Sequence, residues 1–239
     1  MARRAARPAP ERLVADALLV RRVAWRESDD IVHLFTDRFG AVAAVARGAR
    51  RSQKRFAALE PMHVLRVGVD VTAHRELGTL AEASLRRPRI GIMTRLPAVD
   101  AAGRALRWLR AAAPPRSAEP LMWDETNRLL DALDAGEADA ERLLAAAGLR
   151  LLAAAGWALE LEACVRCGRV CPDAARAIVD VHAGGIVCRH CGGQGSSVGA
   201  RQRRALTASM AGAPFDGDPE AAVALVDAAF LAHGRGEAT

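Results

Sequence analysis

Four cysteines in two matched pairs constrain the fold of this chain more than any other feature. They read Cys164-Val165-Arg166-Cys167-Gly168 and Cys188-Arg189-His190-Cys191-Gly192, so the spacing is C-x2-C-x20-C-x2-C. This spacing is typical of four thiolates that close a tetrahedron around one zinc ion. The glycine after each pair leaves room for a tight turn over a metal. The sequence therefore predicts a structural zinc finger at residues 164–191, with Cys164, Cys167, Cys188 and Cys191 as the metal ligands.

Two other interpretations of the cysteines are weaker. Thioredoxin-like redox chemistry needs one C-x-x-C in a βαβ setting, whereas this chain has two pairs. Nucleobase deaminases pair an H-x-E motif with P-C-x-x-C. His74-Arg75-Glu76 fits the first half of that signature, but no proline precedes Cys164 or Cys188. Cys171, His182 and His190 remain possible substitute ligands, although a spare thiol and surface histidines are the simpler interpretation.

The first third of the chain has the pattern of short strands. Within Met62–Thr72, Leu65, Val67, Val69 and Val71 alternate with more polar or small residues, which is the period of a half-buried strand. Similar short runs occur at Leu13–Val23, Ile31–Thr36, Ala41–Ala46 and Leu77–Leu85, with a polar turn predicted at Glu27–Asp30. Five short strands in so few residues favour a small closed barrel of the OB-fold type, with a small open sheet as the alternative.

From Asp100 onward, alanine and leucine recur at helical spacing. The pattern predicts helices ending at Ala113-Pro114-Pro115, over Leu121–Leu133, over Ala140–Trp157, and in a final pair near Arg203–Met210 and Pro219–His233. The predicted class is α+β: an N-terminal five-stranded OB-fold barrel, then an α-helical domain that carries the four-cysteine zinc finger. The predicted domains are a basic flexible tail at 1–11, the OB-fold at 12–86 and the helical domain at 87–239.

Positive charge is concentrated in the first part of the chain. Residues 1–90 contain 18 Lys/Arg against 10 Asp/Glu, whereas residues 91–163 contain 8 against 11. Five cations lie within nine residues after the third predicted strand: Arg47, Arg50, Arg51, Lys54 and Arg55. Such a run neutralises phosphates without selecting a base sequence, although it could also be a solvated loop. Trp25 and Phe56 are candidate stacking platforms for unpaired bases, with a core position as the alternative for Phe56.

Further arginines could extend the same path or form an ordinary basic surface: Arg86, Arg87, Arg89, Arg201, Arg203 and Arg204. The chain has no phosphate-binding glycine loop, no nucleophile elbow and no paired-carboxylate site, so we expect no enzymatic activity. No apolar run reaches the eighteen or more residues of a membrane span, and the basic N-terminus lacks an apolar leader segment. We therefore expect a soluble cytoplasmic protein.

The order of these motifs resembles the bacterial RecO recombination mediators over nearly the whole chain. The resemblance is carried by Ala17–Arg21, Glu27–Thr36, Gly40-Ala41, Ala44–Arg51, Arg55-Phe56, Leu59-Glu60-Pro61, Leu77–Leu80 and Glu82-Ala83, then by Leu161–Gly168 and Gly184–Cys188. The N-terminal matches are specific in combination, and the later part agrees more in plan than in residues. Trp25 stands where the family often has tyrosine. The segment after the zinc site is short, so the sequence does not locate the pocket for the tail of the single-strand-binding protein.

The resemblance implies an OB-fold followed by a helical domain with a zinc finger. It also implies a non-enzymatic DNA-repair mediator that binds single- and double-stranded DNA and anneals complementary strands. Its partners would be RecR, the single-strand-binding protein (SSB) and, indirectly, RecA, with action at the nucleoid. Carried over by position, the likeliest DNA contacts are Arg47, Arg50, Arg51, Lys54 and Arg55.

Three rival functions share parts of this pattern. A zinc-ribbon RNA-binding or ribosome-associated protein would have the same basic barrel and cysteines, but would prefer structured RNA. A metal-dependent hydrolase acting on nucleic acid would need an open metal position, which four thiolates do not leave. An interaction scaffold would bind nucleic acid equally well after the basic run is replaced by alanine.

Overall fold

The computed structural model describes residues 11–52, 56, 59–72, 75–136 and 138–234. Within these residues the chain forms two compact units. The first contains the described residues up to Pro88 together with Pro114–Pro120, and the second contains Arg89–Ala113 and the described residues from Leu121 onward. The sequence predicts a single boundary, between residues 86 and 87. It does not predict that Pro114–Pro120 belongs to the first unit.

The first unit is a closed barrel with the strand order β1-β2-β3-β5-β4. The strands are β1 (Glu11–Trp25), β2 (Asp29–Thr36), β3 (Gly40–Ala46), β4 (Val64–Val71) and β5 (Leu77–Arg87). The long β1 pairs antiparallel with both β2 and β4, and a short parallel pairing of β3 with β5 completes the closure. Five strands closed in this way form an OB-fold, so the predicted α+β class with an N-terminal OB-fold is confirmed.

Alternation of apolar side chains explains why these strands close on themselves. In β4, Leu65, Val67, Val69 and Val71 all enter the barrel core, as their spacing predicts. The other strands contribute Leu13, Ala17, Leu19, Val32, Leu34, Val42, Ala44, Ala46 and Leu80. The predicted turn at Glu27–Asp30 is shorter in the structure, because β2 already begins at Asp29.

A β-bulge in β1 reverses the direction in which its side chains point. Between Leu19 and Arg21 the paired residue on β2 advances by one position only, so Val20 is the extra residue. Because neighbouring strand residues point to opposite faces, one inserted residue exchanges the inner and outer sets. Leu19 therefore lies in the barrel core, whereas Arg21, Val23 and Trp25 lie on the outer face.

The second unit consists of helices and a small β-ribbon. Its elements are α1 (Ile90–Met93), α2 (Leu96–Ala112), α3 (Pro120–Ala135), α4 (Ala140–Ala154), β6 (Ala177–Asp180), β7 (Gly185–Ile186), β8 (Ser196–Val198), α5 (Ala200–Met210) and α6 (Pro219–His233). The three strands form a sheet in the order β7-β6-β8. Within the described part of the chain, no helix combines the length and apolarity needed to cross a membrane.

Close packing around Gly148 fixes the helical core. Trp108 of α2 stacks on Phe230 of α6, with ring centroids 5.5 Å apart. α4 passes beside this pair at Gly148, where an added Cβ would lie 2.7 Å from Cζ3 of Trp108 and 2.8 Å from Cγ1 of Val226. Carbon atoms do not approach so closely, so only glycine allows this contact between α2, α4 and α6.

We expect Gly148→Ala to destabilise the second unit by about 1–2 kcal/mol, because overpacking costs more than the gain in helix propensity. Gly103→Ala is the matched control, since an added Cβ in the middle of α2 would meet nothing closer than 4.0 Å. That control substitution should stabilise the second unit by about 0.5–1 kcal/mol. Urea unfolding followed by tryptophan fluorescence measures both changes, and equal effects of the two substitutions would contradict this packing.

Candidate nucleic-acid interface and metal centre

The outer face of the first three strands is a partly apolar surface. We define the β1–β3 face as Arg21, Val23, Trp25, Ile31, His33, Ala43 and Val45, which are neighbours through the strand pairings. Six of these side chains are half-buried, and Trp25 is 45% exposed. OB-folds bind oligonucleotides on the face that contains strands two and three. A partly apolar surface with an exposed indole is suited to stacking of unpaired bases.

A buried carboxylate lies at the end of the barrel next to this face. The side chain of Asp30 is only 3% exposed and is held between two arginines. Nη2 of Arg22 lies 2.6 Å from Oδ2, and Nε of Arg50 donates to Oδ1 at 3.1 Å. Arg22 also donates through Nη1 to the carbonyl oxygen of Leu59 at 3.1 Å. We call this arrangement the Asp30 network; it neutralises a charge that would otherwise be costly to bury.

The same network joins two loops at the end of the barrel. The guanidinium of Arg50 donates to the carbonyl oxygens of Arg26 and Asp29, at 3.3 Å each, and its backbone N–H donates to the carbonyl of Ser28 at 3.2 Å. The N–H of Gly48 donates to Oδ1 of Asp29 at 2.8 Å. The loop between β1 and β2 is therefore fixed against the start of the loop that follows β3.

The predicted DNA-contact arginines separate into two kinds in the structure. Arg50 is engaged in the Asp30 network although its side chain is 39% exposed, whereas Arg47 and Arg51 are exposed and lie outside that network. The side chain of Arg51 is 76% exposed, and its pairing with the equally solvated Glu27 is long, at 3.9 Å. Such surface pairs contribute little free energy, so the guanidinium is available to another anion. Lys54 and Arg55 lie outside the described residues.

Phe56 is a correction to the sequence analysis. Its side chain is only 4% exposed and packs in the barrel core. A ring in that position cannot stack on a base, so the proposed stacking role of Phe56 is wrong and the core alternative is correct. A lone aromatic residue next to a basic run gives no sign of which way its ring points.

The arginines of the basic segment at the end of the barrel also differ in exposure. Arg86 and Arg87 are exposed, but Arg89 is 1% exposed and belongs to the second unit. Its guanidinium lies 2.8 Å from a carboxylate oxygen of Asp131 and donates to Oδ1 of Asn127 at 2.7 Å. Arg89 therefore stabilises the helical unit and is not available to a nucleic acid.

Sequence reasoning missed Arg21, Arg26 and His33 as candidates for the same surface. Arg21 and His33 are directly paired across β1 and β2 on the β1–β3 face. Arg26 is exposed at the tip of the adjoining loop. The period-two spacing of Arg21, Val23 and Trp25 could have shown that these three share a face, but the bulge at Val20 decides that this face points outward.

The four paired cysteines come together in the second unit. The sulfur atoms of Cys164, Cys167, Cys188 and Cys191 all lie within 4.8 Å of one another, and those of Cys167 and Cys188 are 3.8 Å apart. Sulfurs about 2.3 Å from a tetrahedral ion are about 3.8 Å from each other, so the cluster has the dimensions of a four-thiolate site. The cluster can therefore hold a metal ion. The spare thiol of Cys171 is not part of it.

Each pair of cysteines is presented by a tight turn that ends in glycine. Gly168 and Gly192 have φ angles of +70° and +73°, in the left-handed region that favours glycine. The N–H of Gly168 donates to the carbonyl of Cys164 at 2.8 Å, and a short 3-10 turn at Arg189–Cys191 shapes the second pair. The two turns aim their sulfurs at a common centre, as the C-x-x-C-G pattern predicts.

Backbone donors prepare one sulfur to be the first thiolate. The N–H of Cys188 donates to Sγ of Cys164 at 3.3 Å, and this bond is the main reason why the pKa of Cys164 is lowered to about 6. Hydrogen bonding of the Cys191 thiol to the sulfurs of Cys167 and Cys188 raises the pKa of Cys191 to about 12. Some of the four thiols therefore keep their protons when no metal is bound. Because the ligands of a metal ion are thiolates, binding a cation must release those protons.

Arg203 of α5 attaches the cysteine ribbon to the helices. It is 4% exposed, and Nη1 donates to the carbonyls of Leu161 at 2.9 Å and Cys171 at 3.3 Å, on either side of the first cysteine turn. A second attachment joins Nε2 of His233 to the carbonyl of Val181 at 2.7 Å. Arg201 and Arg204 of the same helix are exposed, but Arg203 is buried and cannot extend a DNA path.

A closed OB-fold with a basic loop, followed by helices and a four-cysteine ribbon, defines the class of this protein: an OB-fold protein with a helical domain whose cysteine cluster can hold a metal ion. Family models agree with both halves. Residues 12–89 match the N-terminal model of recombination protein O, and residues 97–220 match its C-terminal model.

Three curated relatives cover between 73% and 95% of this chain. A DNA repair protein RecO from Geobacter metallireducens is 33% identical over 227 residues, which cover 91% of each chain. One from an Anaeromyxobacter species is 33% identical over 239 residues, covering 95% of this chain and 92% of the relative. One from Rubrobacter xylanophilus is 34% identical over 180 residues, covering 73% of this chain and 69% of the relative. The chain belongs to the RecO family of DNA repair proteins, as the sequence motifs indicate.

We expect Arg50→Ala to destabilise the barrel by about 1–3 kcal/mol, because buried Asp30 loses one of its two cations. Arg51→Ala is the matched control, since Arg51 is one residue away, carries the same charge and is exposed. It should change stability by less than about 0.5 kcal/mol. Thermal unfolding monitored by circular dichroism measures both, and equal stability of the two variants would contradict a structural role for Arg50.

Proposed function

We propose that this chain is a non-enzymatic mediator of DNA repair and homologous recombination. In this proposal it binds single- and double-stranded DNA, anneals complementary strands and, with RecR, helps to load RecA onto DNA coated by SSB. The observation that carries the proposal is the β1–β3 face. It presents an exposed indole on a partly apolar sheet surface, beside arginines that lie outside the Asp30 network. Its place of action would be the nucleoid.

We propose that the phosphate backbone follows the arginines beside the face while unpaired bases lie on it. Arg47 and Arg51 would contact phosphates, and Trp25 would stack on a base, an interaction worth about 1–3 kcal/mol. Phosphate contacts are independent of base sequence and are available in duplex DNA as well. Arg50 would act indirectly, because it positions the two loops. No covalent bond is made or broken in strand annealing, so the surface needs no catalytic group.

Partner binding is proposed from membership of the family. A mediator that holds DNA on its barrel leaves the helical unit free to bind proteins. Holding a coated strand together with RecR would raise the effective concentration of the recombinase loader at that strand. We place the DNA contacts of the barrel within residues 12–86, and we place the partner contacts within residues 87–239.

We propose that the metal is zinc and that its role is structural. The soft thiolate donors of the cluster suit Zn²⁺, and four of them leave no position for water or substrate. When bound, the ion would cross-link the two cysteine turns of Cys164–Gly168 and Cys188–Gly192. The contacts of Arg203 would then transmit this rigidity to α5.

Arg47→Ala/Arg51→Ala should weaken binding of fluorescent single-stranded DNA and lower its salt dependence. Each lost phosphate contact should reduce the slope of log affinity against log salt by about 0.7, or about 1.4 for the pair. Fluorescence anisotropy across a salt series measures both quantities. The rate at which complementary strands anneal should fall in parallel.

Arg12→Ala/Arg66→Ala is the control for that experiment. It removes the same charge from the same barrel, but these arginines are paired with Asp70 and Asp16. The control should keep the wild-type slope. Equal slopes for the wild type and both variants would show that DNA does not contact these barrel arginines. Tighter binding of structured RNA than of DNA would favour the ribosome-associated alternative.

Cys188→Ser should abolish stoichiometric zinc in the purified protein and lower its melting temperature, because structural zinc contributes to folding directly. Cys171→Ser should retain one zinc per chain, since this thiol lies in the same ribbon but outside the cluster. Elemental analysis and thermal unfolding measure the two effects. Full zinc content in Cys188→Ser, or loss of zinc in Cys171→Ser, would show that the ligand set is wrong.

A further inference from the structure

A second basic surface lies on the cysteine ribbon, in the other unit from the β1–β3 face. Here a hollow of about 230 Å³ opens beside β6 and β7. Its apolar lining includes Pro172, Ile178 and Val187, and three arginines also line it: Arg169, Arg176 and Arg189. We call this feature the ribbon hollow.

The charges of the ribbon hollow are unbalanced. Its lining contains these three arginines and no carboxylate. All three side chains are exposed, and none forms an ion pair with a residue that the structure describes. Nη1 of Arg176 donates to the neutral Oγ of Ser197 at 3.4 Å. Arginines elsewhere in the chain, such as Arg12, Arg66 and Arg89, are paired with carboxylates.

The metal cluster alone does not account for these cations. Four thiolates around a divalent ion carry a net negative charge, and Arg166 lies beside them, donating to the carbonyl of Cys191 at 2.8 Å. Backbone N–H groups also donate to the sulfurs, as Cys188 does to Cys164. Arg169, Arg176 and Arg189 instead border the hollow, where an external anion can reach them.

We propose that the ribbon hollow binds the phosphate backbone of a DNA strand, as a second contact independent of the barrel. The arginines supply sequence-independent phosphate contacts, and the apolar floor gives a deoxyribose or a base a surface on which to pack. This inference rests on the proposed function, which it deepens: one strand on each unit would bring two strands to one chain. Charge complementarity selects a polyanion as the occupant.

The test is the salt dependence of binding of fluorescent oligothymidylate to the full-length, zinc-loaded chain. Arg176→Gln/Arg189→Gln should bind more weakly, with a slope lower by about 1.4, because two phosphate contacts are lost. Arg107→Gln/Arg142→Gln is the matched control, since it removes the same charge from exposed positions of the same unit outside the hollow. Zinc content and melting temperature should be unchanged in both variants, which shows that the ribbon is folded.

The outcomes separate this inference from the proposed function. A wild-type slope for Arg176→Gln/Arg189→Gln, together with a reduced slope for Arg47→Ala/Arg51→Ala, overturns the ribbon contact and leaves the barrel contact standing. The reverse pattern supports the ribbon contact and removes the barrel from the DNA path. If the ribbon variant keeps wild-type DNA binding but loses binding of a fluorescent polyglutamate peptide, the hollow recognises an acidic protein segment and the DNA proposal is overturned.

Discussion

An ionised carboxylate can be buried in a small barrel only if cations and hydrogen-bond donors replace the water that it loses. Asp30 meets this requirement with Arg22 from β1 and Arg50 from the loop after β3. Because Arg50 also donates to backbone carbonyls of the neighbouring loop, neutralising one charge fixes two loops at once. The shape of the proposed DNA surface therefore depends on an ion-pair network that does not itself need to touch DNA. The arginines left outside that network are the ones that can meet phosphates.

The second unit uses buried arginines in a similar way. Arg203 donates to carbonyls on both sides of the first cysteine turn, and Arg89 joins Asp131 and Asn127 within the helices. These cations join segments that are distant in the sequence through hydrogen bonds and an ion pair. Arg47 and Arg51 beside the β1–β3 face, and the three arginines of the ribbon hollow, are exposed and do not hold segments together in this way. Whether an arginine is buried, and which groups it contacts, distinguishes the structural arginines of this protein from those proposed to bind DNA. The position of an arginine in the sequence is a poorer guide.

The sequence predicts the parts of the structure that follow from periodicity. The alternation of Leu65–Val71 identifies a barrel strand, and the two C-x-x-C-G pairs identify a cluster that the structure assembles. Features that depend on the register between strands could not be predicted in this way. The bulge at Val20 decides that Trp25 points outward, and the inward position of Phe56 follows from the closure of the barrel around it. Arg203 belongs to a basic run in the sequence, yet the fold buries it under the ribbon.

The central claim is that single-stranded DNA lies on the β1–β3 face with a base against Trp25. Photo-crosslinking with an oligonucleotide that contains 5-iodouracil tests this directly, because the activated base forms a covalent bond with an aromatic side chain that it contacts. Mass spectrometry of the digested, crosslinked full-length chain should find the nucleotide on Trp25, and Trp25→Leu should remove that adduct. Crosslinks confined to the second unit, with none on the peptide that contains Trp25, would contradict this account.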